Sequence, residues 1–117
     1  MRTFAFGLIV LAGGAAAALD RPVAAVAVKV KGAAFLDGKP LKEQTFVHAG
    51  SVIETRAGGC AALAFVTGAE VRFNESSEGW VESGANVTLK TGQLWAKVLH
   101  GKAGLKIQGP HAAVKLG

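Results

Sequence analysis

Gly50–Asn74, GSVIETRAGGCAALAFVTGAEVRFN, is the stretch whose reading decides the fold class of this chain. Val52-Ile53 is a short apolar pair, and Ala61–Val66 places Leu63 and Phe65 on one face. Glu70-Val71-Arg72-Phe73 then alternates out, in, out, in, after a break at Thr67-Gly68. Period-two alternation on both sides of a short Gly-containing break is the local signature of a β-hairpin. The spacing therefore predicts strand, loop, strand, two-residue turn, strand. No residue in it demands chemistry.

Toward the N-terminus the same period recurs. Val26, Val28 and Val30 alternate with Ala27, Lys29 and Lys31, which predicts a first strand with the valines inward. Phe35-Leu36 and Leu41 flank Asp37-Gly38-Lys39-Pro40, and Asp-Gly is a tight-turn signal. Toward the C-terminus, Asn74–Asn86 (NESSEGWVESGAN) reads as a polar loop with one apolar island at Trp80-Val81. Val87 and Leu89, then Leu94, Ala96 and Val98, then Leu105 and Ile107, and finally Ala112, Val114 and Leu116 form inward rows. Thr91-Gly92 repeats the Thr67-Gly68 break, too little to establish a repeat. No segment after residue 18 carries helical periodicity over a useful length. The fold class is all-β: short antiparallel strands in a sandwich, roll or short solenoid, preceded by an N-terminal signal helix.

The N-terminal segment reads differently. Arg2 precedes an apolar run, Phe4–Leu11, and then small residues that offer an Ala16-x-Ala18 cleavage site. Residues 1–18 are expected to be a signal peptide, and residues 19–117 one β-domain, periplasmic or secreted. The alternative is an uncleaved anchor, for which the run from Thr3 to Leu19 is slightly short against the ~20 residues a span needs.

Composition sets further bounds. At 117 residues the chain has length for one core. Its formal charge is +5, a weak preference for polyanions and also an ordinary aid to solubility. Glu70, Glu75, Glu78 and Glu82 crowd the middle, whereas beyond Glu82 the only charged residues are lysines. With one cysteine, Cys60, no internal disulfide forms.

Cys60 with His48, His100 or His111 is the only combination resembling a nucleophile and base, and no catalytic signature frames it. Cys60 beside alanines reads as a small core residue. The same four residues lack the spacing of zinc sites, and no glycine-rich loop leads into a helix to hold phosphate. The chain is expected to be no enzyme, with no cofactor and no metal. The best functional hint is a basic outer row: by parity Lys90, Lys97, Lys106 and Lys115 face outward with Trp95. A cationic face with an exposed aromatic suits anionic glycan, lipid headgroups or, least fittingly for an exported chain, nucleic acid. Lysines also protect sheet edges from aggregation.

In its order of pieces the chain resembles the FecR domain family. The matching stretches are VKVKGAAFLDG (Val28–Gly38), HAGSVIETRAGGCAALAFVTGAEVRF (His48–Phe73), VTLKTGQLWAKV (Val87–Val98) and LKIQGPHAAVKLG (Leu105–Gly117). Three departures stand out. Thr67-Gly68 replaces an expected Asp-Gly, and VKLG stops where the family usually continues through a Gly-Thr step into further strands. Nor is a module to hold a sigma factor expected from the residues before Val23. The resemblance implies a stand-alone sensory or binding β-domain of the cell envelope. Its expected partner is an envelope protein or cell-wall polymer, with Trp80, Trp95, Lys97 and Lys106 as candidate contacts. It is expected to bind no nucleic acid and to meet the membrane only through an uncleaved signal segment. Self-association through an unpaired final strand is the structural alternative.

Overall fold

The computed structural model describes residues 21–99, 104–110 and 113–116, and there every regular element is a strand. The elements are β1 (Val23–Lys31), β2 (Ala34–Leu36), β3 (Lys39–Pro40), β4 (Phe46–His48), β5 (Ser51–Thr55) and β6 (Cys60–Phe65). They continue as β7 (Ala69–Phe73), β8 (Glu78–Ser83), β9 (Asn86–Thr91), β10 (Leu94–Val98), β11 (Leu105–Gln108) and β12 (Ala113–Leu116). The signal segment expected over 1–18 lies outside the described residues.

The strands form a five-stranded sheet, β10-β7-β6-β1-β4, and a seven-stranded sheet, β12-β11-β9-β8-β5-β2-β3. Inward residues of both join one apolar core: Ala27, Leu63, Val71 and Phe73 from the first, Ile53, Val81, Val87 and Leu105 from the second. Phe73 keys the two layers together. A Cβ built on Gly79 of β8 would lie 2.3 Å from the Phe73 ring, so only glycine leaves room for it.

Where turn chemistry is local, the expected hairpins are present. Phe35 pairs with Pro40 and Leu36 with Lys39 across Asp37-Gly38, whose φ angles of 51° and 85° are those of a type I′ turn. The β6–β7 hairpin is also in place, with Leu63 opposite Val71. Its loop is three residues, Val66–Gly68, not two: the Gly68 N–H donates to the Phe65 carbonyl at 3.0 Å, and Gly68 completes the turn.

Three further expectations need correction. In β1 the alanines face inward: Ala25 and Ala27 are buried while Val28 is exposed. The ladder to β6 slips between Ala27 and Lys29, a β-bulge at Val28 that restores Val30 to the core side. Asn74–Asn86 is not one polar loop. Its second half is β8, paired with β5 and β9, whose inward positions are Gly79 and Val81. Nor is the pairing wholly antiparallel, since β9 and β11 run parallel. The chain leaves the seven-stranded sheet after β9, crosses to the edge of the other sheet as β10, and returns as β11. A parallel pair requires such an excursion. Thr67-Gly68 closes a hairpin whereas Thr91-Gly92 carries the chain between sheets, in keeping with the absence of an established repeat.

A polar knot holds that crossing. Ser77 is buried, and its Oγ accepts the Gln93 N–H at 2.9 Å and lies 3.0 Å from the Gln93 carbonyl. Its own N–H donates to Thr55 Oγ1 at 3.0 Å, and Thr55 Oγ1 donates to the Asn74 carbonyl at 2.5 Å. Ser77→Ala removes the acceptor of the part-buried Gln93 N–H, at a cost of about 0.5–1.5 kcal/mol. Urea denaturation of the variant measures this; an unchanged midpoint would mean the knot contributes nothing.

Candidate functional site

The four candidate contacts share outward parity but not a surface. Trp95 and Lys97 lie on β10 in the five-stranded sheet, Trp80 on β8 and Lys106 on β11 in the seven-stranded sheet. Because the sheets face each other across the core, their outer faces look in opposite directions. Lys90 belongs with the second group, where its Nζ is 3.5 Å from Glu78. The side chain of Lys115 is outside the described residues. The single basic face expected from alternation is therefore two faces.

Of these, the outer face of the five-stranded sheet is the more developed. Trp95 lies opposite Arg72, and Lys97 opposite Glu70, in the antiparallel β10–β7 ladder. The Arg72 guanidinium is 5.5 Å from the centre of the Trp95 ring and the Lys97 ammonium 5.4 Å. Two cations over one half-exposed indole stabilise its orientation by about 0.5–1 kcal/mol each. Arg72 is also 3.7 Å from Glu70, which steadies it within the face.

Next to β7, the outward residues of β6 are all small: Cys60, Ala62 and Ala64. Ala62 stands opposite Arg72 on one side and Lys29 on the other, and is almost fully buried although it faces outward. Long basic side chains cover apolar surface in this way while keeping their charge in water. The result is a shallow trough floored by β6. Glu70 and Arg72 wall it toward Trp95, and Val26, Lys29 and Lys31 wall it on the β1 side. At one end it opens into a wide depression lined by Cys60, Arg72, Asn74, Glu75 and Gln93.

Cys60 is thus a partly exposed residue of this outer face rather than core filler. Its expected partners do not meet it. Cys60 pairs with Lys31 at one end of β1, whereas His48 pairs with Val23 at the other. Eight residues of strand separate those ends, roughly 26 Å at ~3.3 Å per residue. His100 and His111 lie outside the described residues. Among the described residues no group of three or more His, Cys, Asp or Glu is placed to hold a metal. No described helix is long and apolar enough to cross a membrane.

Trp80 is half-exposed on the other outer face, between Val52 and Thr88 in register. Glu78 and Glu82 flank it along β8, and Glu82 accepts the Thr88 hydroxyl at 2.6 Å. Glu54 and Glu78 are directly opposite one another, each relieved by a cation, Arg56 at 3.3 Å and Lys90 at 3.5 Å. Arg56 also stacks on Phe35, 4.1 Å from the ring centre. Sequence reading passed over Arg72 and Lys29, because nothing local tells which strands lie beside Trp95. Compared with known protein families, curated proteins and solved structures, the chain matches none of them.

Proposed function

We propose that this chain is a non-enzymatic binding domain of the cell envelope, FecR-like in its order of strands and turns. It acts in the periplasm or outside the cell. Its working surface is the outer face of the five-stranded sheet, and its partner an envelope protein or a cell-wall polymer carrying negative charge. The observation that supports this is the placement of Arg72 and Lys97 within 5.5 Å and 5.4 Å of the Trp95 ring centre. An aromatic plate between cations stacks on a sugar ring or planar group while its charges meet carboxylates or phosphates. The trough along β6 extends that contact to a linear segment, and Lys29 and Lys31 add charge on its far wall. Of the earlier candidates, Trp95 and Lys97 belong to this surface; Trp80 and Lys106 serve as controls.

The test is co-sedimentation of the protein with purified sacculi and with envelope extract over a range of salt. Trp95→Ala and Lys97→Ala are each expected to weaken retention about 5–10-fold, some 1–1.4 kcal/mol. Trp80→Ala is expected to leave it unchanged. Retention that ignores both Trp95→Ala and Lys97→Ala removes this face from consideration. Retention insensitive to salt removes the anionic partner.

A further inference from the structure

The two ends of the molecule differ in chemistry. One end holds the Thr55–Ser77–Gln93 knot and is polar. At the other end lie the start of β1, the Ala49-Gly50 turn, the Val66–Gly68 loop, the Gly84-Ala85 turn and the end of β10. Backbone bonds tie these segments together: the Val66 N–H donates to the Ala24 carbonyl at 3.0 Å, and the Leu99 N–H to Gly68 at 2.7 Å. Thr67 Oγ1 donates to the Gly84 carbonyl at 3.0 Å. Four large apolar residues point outward here: Val66 is 65% exposed, Leu99 43%, Val23 39% and Val98 38%. Val66 and Leu99 lie outside strands and Val23 and Val98 at strand ends; gathered at one end, they form an exposed apolar cap rather than the scattered single residues usual on a surface.

We infer that this end docks on an anionic lipid surface. Cations rim the cap. Arg21 sits against the Gly50 turn, with Nη1 3.0 Å from a Cβ built there. Lys97 precedes Val98, and the Lys106 N–H donates to the Ala85 carbonyl at 2.8 Å. Of the nearest acids, Glu70 lies beside Arg72 and Glu82 accepts the Thr88 hydroxyl. Apolar tips ringed by Lys and Arg are the composition of an interfacial membrane contact. The connection to the rest of the chain favours this occupant over a protein. The apolar run that ends at Leu19 enters the fold at this same end, four residues before Val23. Extended chain spans at most ~3.5 Å per residue, so Val23 stays within about 14 Å of Leu19. Whenever that run lies in a bilayer, the cap is held at the headgroups. The inference concerns an end of the molecule; it shares Lys97 with the Trp95 face, but its readout at positions 66, 99 and 57 is separate from retention by that face.

The full chain is reconstituted with vesicles of phosphatidylcholine alone and with added phosphatidylglycerol. In a Cys60→Ala background, an environment-sensitive fluorophore is attached to a single cysteine introduced by Val66→Cys, Leu99→Cys or, at the opposite end, Ala57→Cys. Brominated acyl chains are expected to quench labels at 66 and 99 several-fold more than at 57, and more strongly with phosphatidylglycerol present. Equal quenching at all three positions overturns the inference. Quenching indifferent to phosphatidylglycerol overturns the role of the cations. Labels at 66 and 99 shielded from aqueous iodide but untouched by brominated lipid would show a protein occupant, residues 1–19 or a second copy, and also overturn it.

Discussion

Phe73→Ala is expected to lower stability by about 3–5 kcal/mol, the range for deleting a fully buried aromatic ring. Phe73 is among the largest side chains with no exposed surface, and its ring occupies the space that Gly79 leaves open in the facing sheet. Gly79, against which the ring packs, has no side chain to move into the vacancy. A domain of this size has about 5–15 kcal/mol in total. The variant therefore approaches unfolding at room temperature, and urea titration followed by tryptophan emission measures the loss. The fit between ring and glycine gives a sharper test. Gly79→Ala alone is expected to cost about 1–3 kcal/mol through overpacking. Combined with Phe73→Leu it should cost less than the sum, because the smaller side chain vacates the clash. Strict additivity would mean that the ring does not key into β8.

Gly92→Ala is expected to cost about 2–5 kcal/mol, from two sources acting together. Gly92 has φ of +88°, which an L side chain adopts at about 1–3 kcal/mol. The new Cβ would also lie 2.2 Å from Ser77 Oγ, 2.5 Å from Ser77 Cα and 2.7 Å from the Ser76 carbonyl oxygen. Two of those three contacts are backbone, so relief requires moving the β7–β8 loop. That movement breaks the Ser77–Gln93 bonds that fasten the chain as it crosses between sheets. Amide exchange should consequently rise first in β10, an edge strand paired only with β7 among the described residues, before it rises in β6 or β1. Unchanged protection in β10 would show that the knot does not hold the crossing.

Much of the architecture was legible locally. Asp37-Gly38 specified its turn because both positions need positive φ, and the β6–β7 hairpin announced itself through Leu63, Phe65, Val71 and Phe73. β8 was hidden for a physical reason: its inward positions include Gly79, which is buried because Phe73 fills its place. An apolar periodicity cannot register a residue selected for the absence of a side chain. β1 was read out of phase because its inward residues are the small alanines, and because the bulge at Val28 shifts the parity halfway along. The candidate surface was half legible. Parity correctly turned Trp95 and Lys97 outward, and Lys106 with them. It carries no information on which sheet a strand joins, and that choice sets Trp95 beside Arg72 and sends Lys106 to the other face.

The order of strands in the five-stranded sheet also bears on how the chain acquires its structure. Only β6 and β7 are neighbours both in that sheet and in sequence. β1 sits between β6 and β4, so its inner ladder cannot close until Phe65 has been made. Synthesis at about 5–20 residues per second leaves that edge without its β6 partner for roughly 2–7 s after Lys31 appears. Pairings this distant also place folding of the finished chain in the slow range, milliseconds to seconds. During that interval the alternating Val-Ala strand is an open template for other extended chains. Its exposed lysines, Lys29 and Lys31, then discourage strand addition before the fold exists to exclude it.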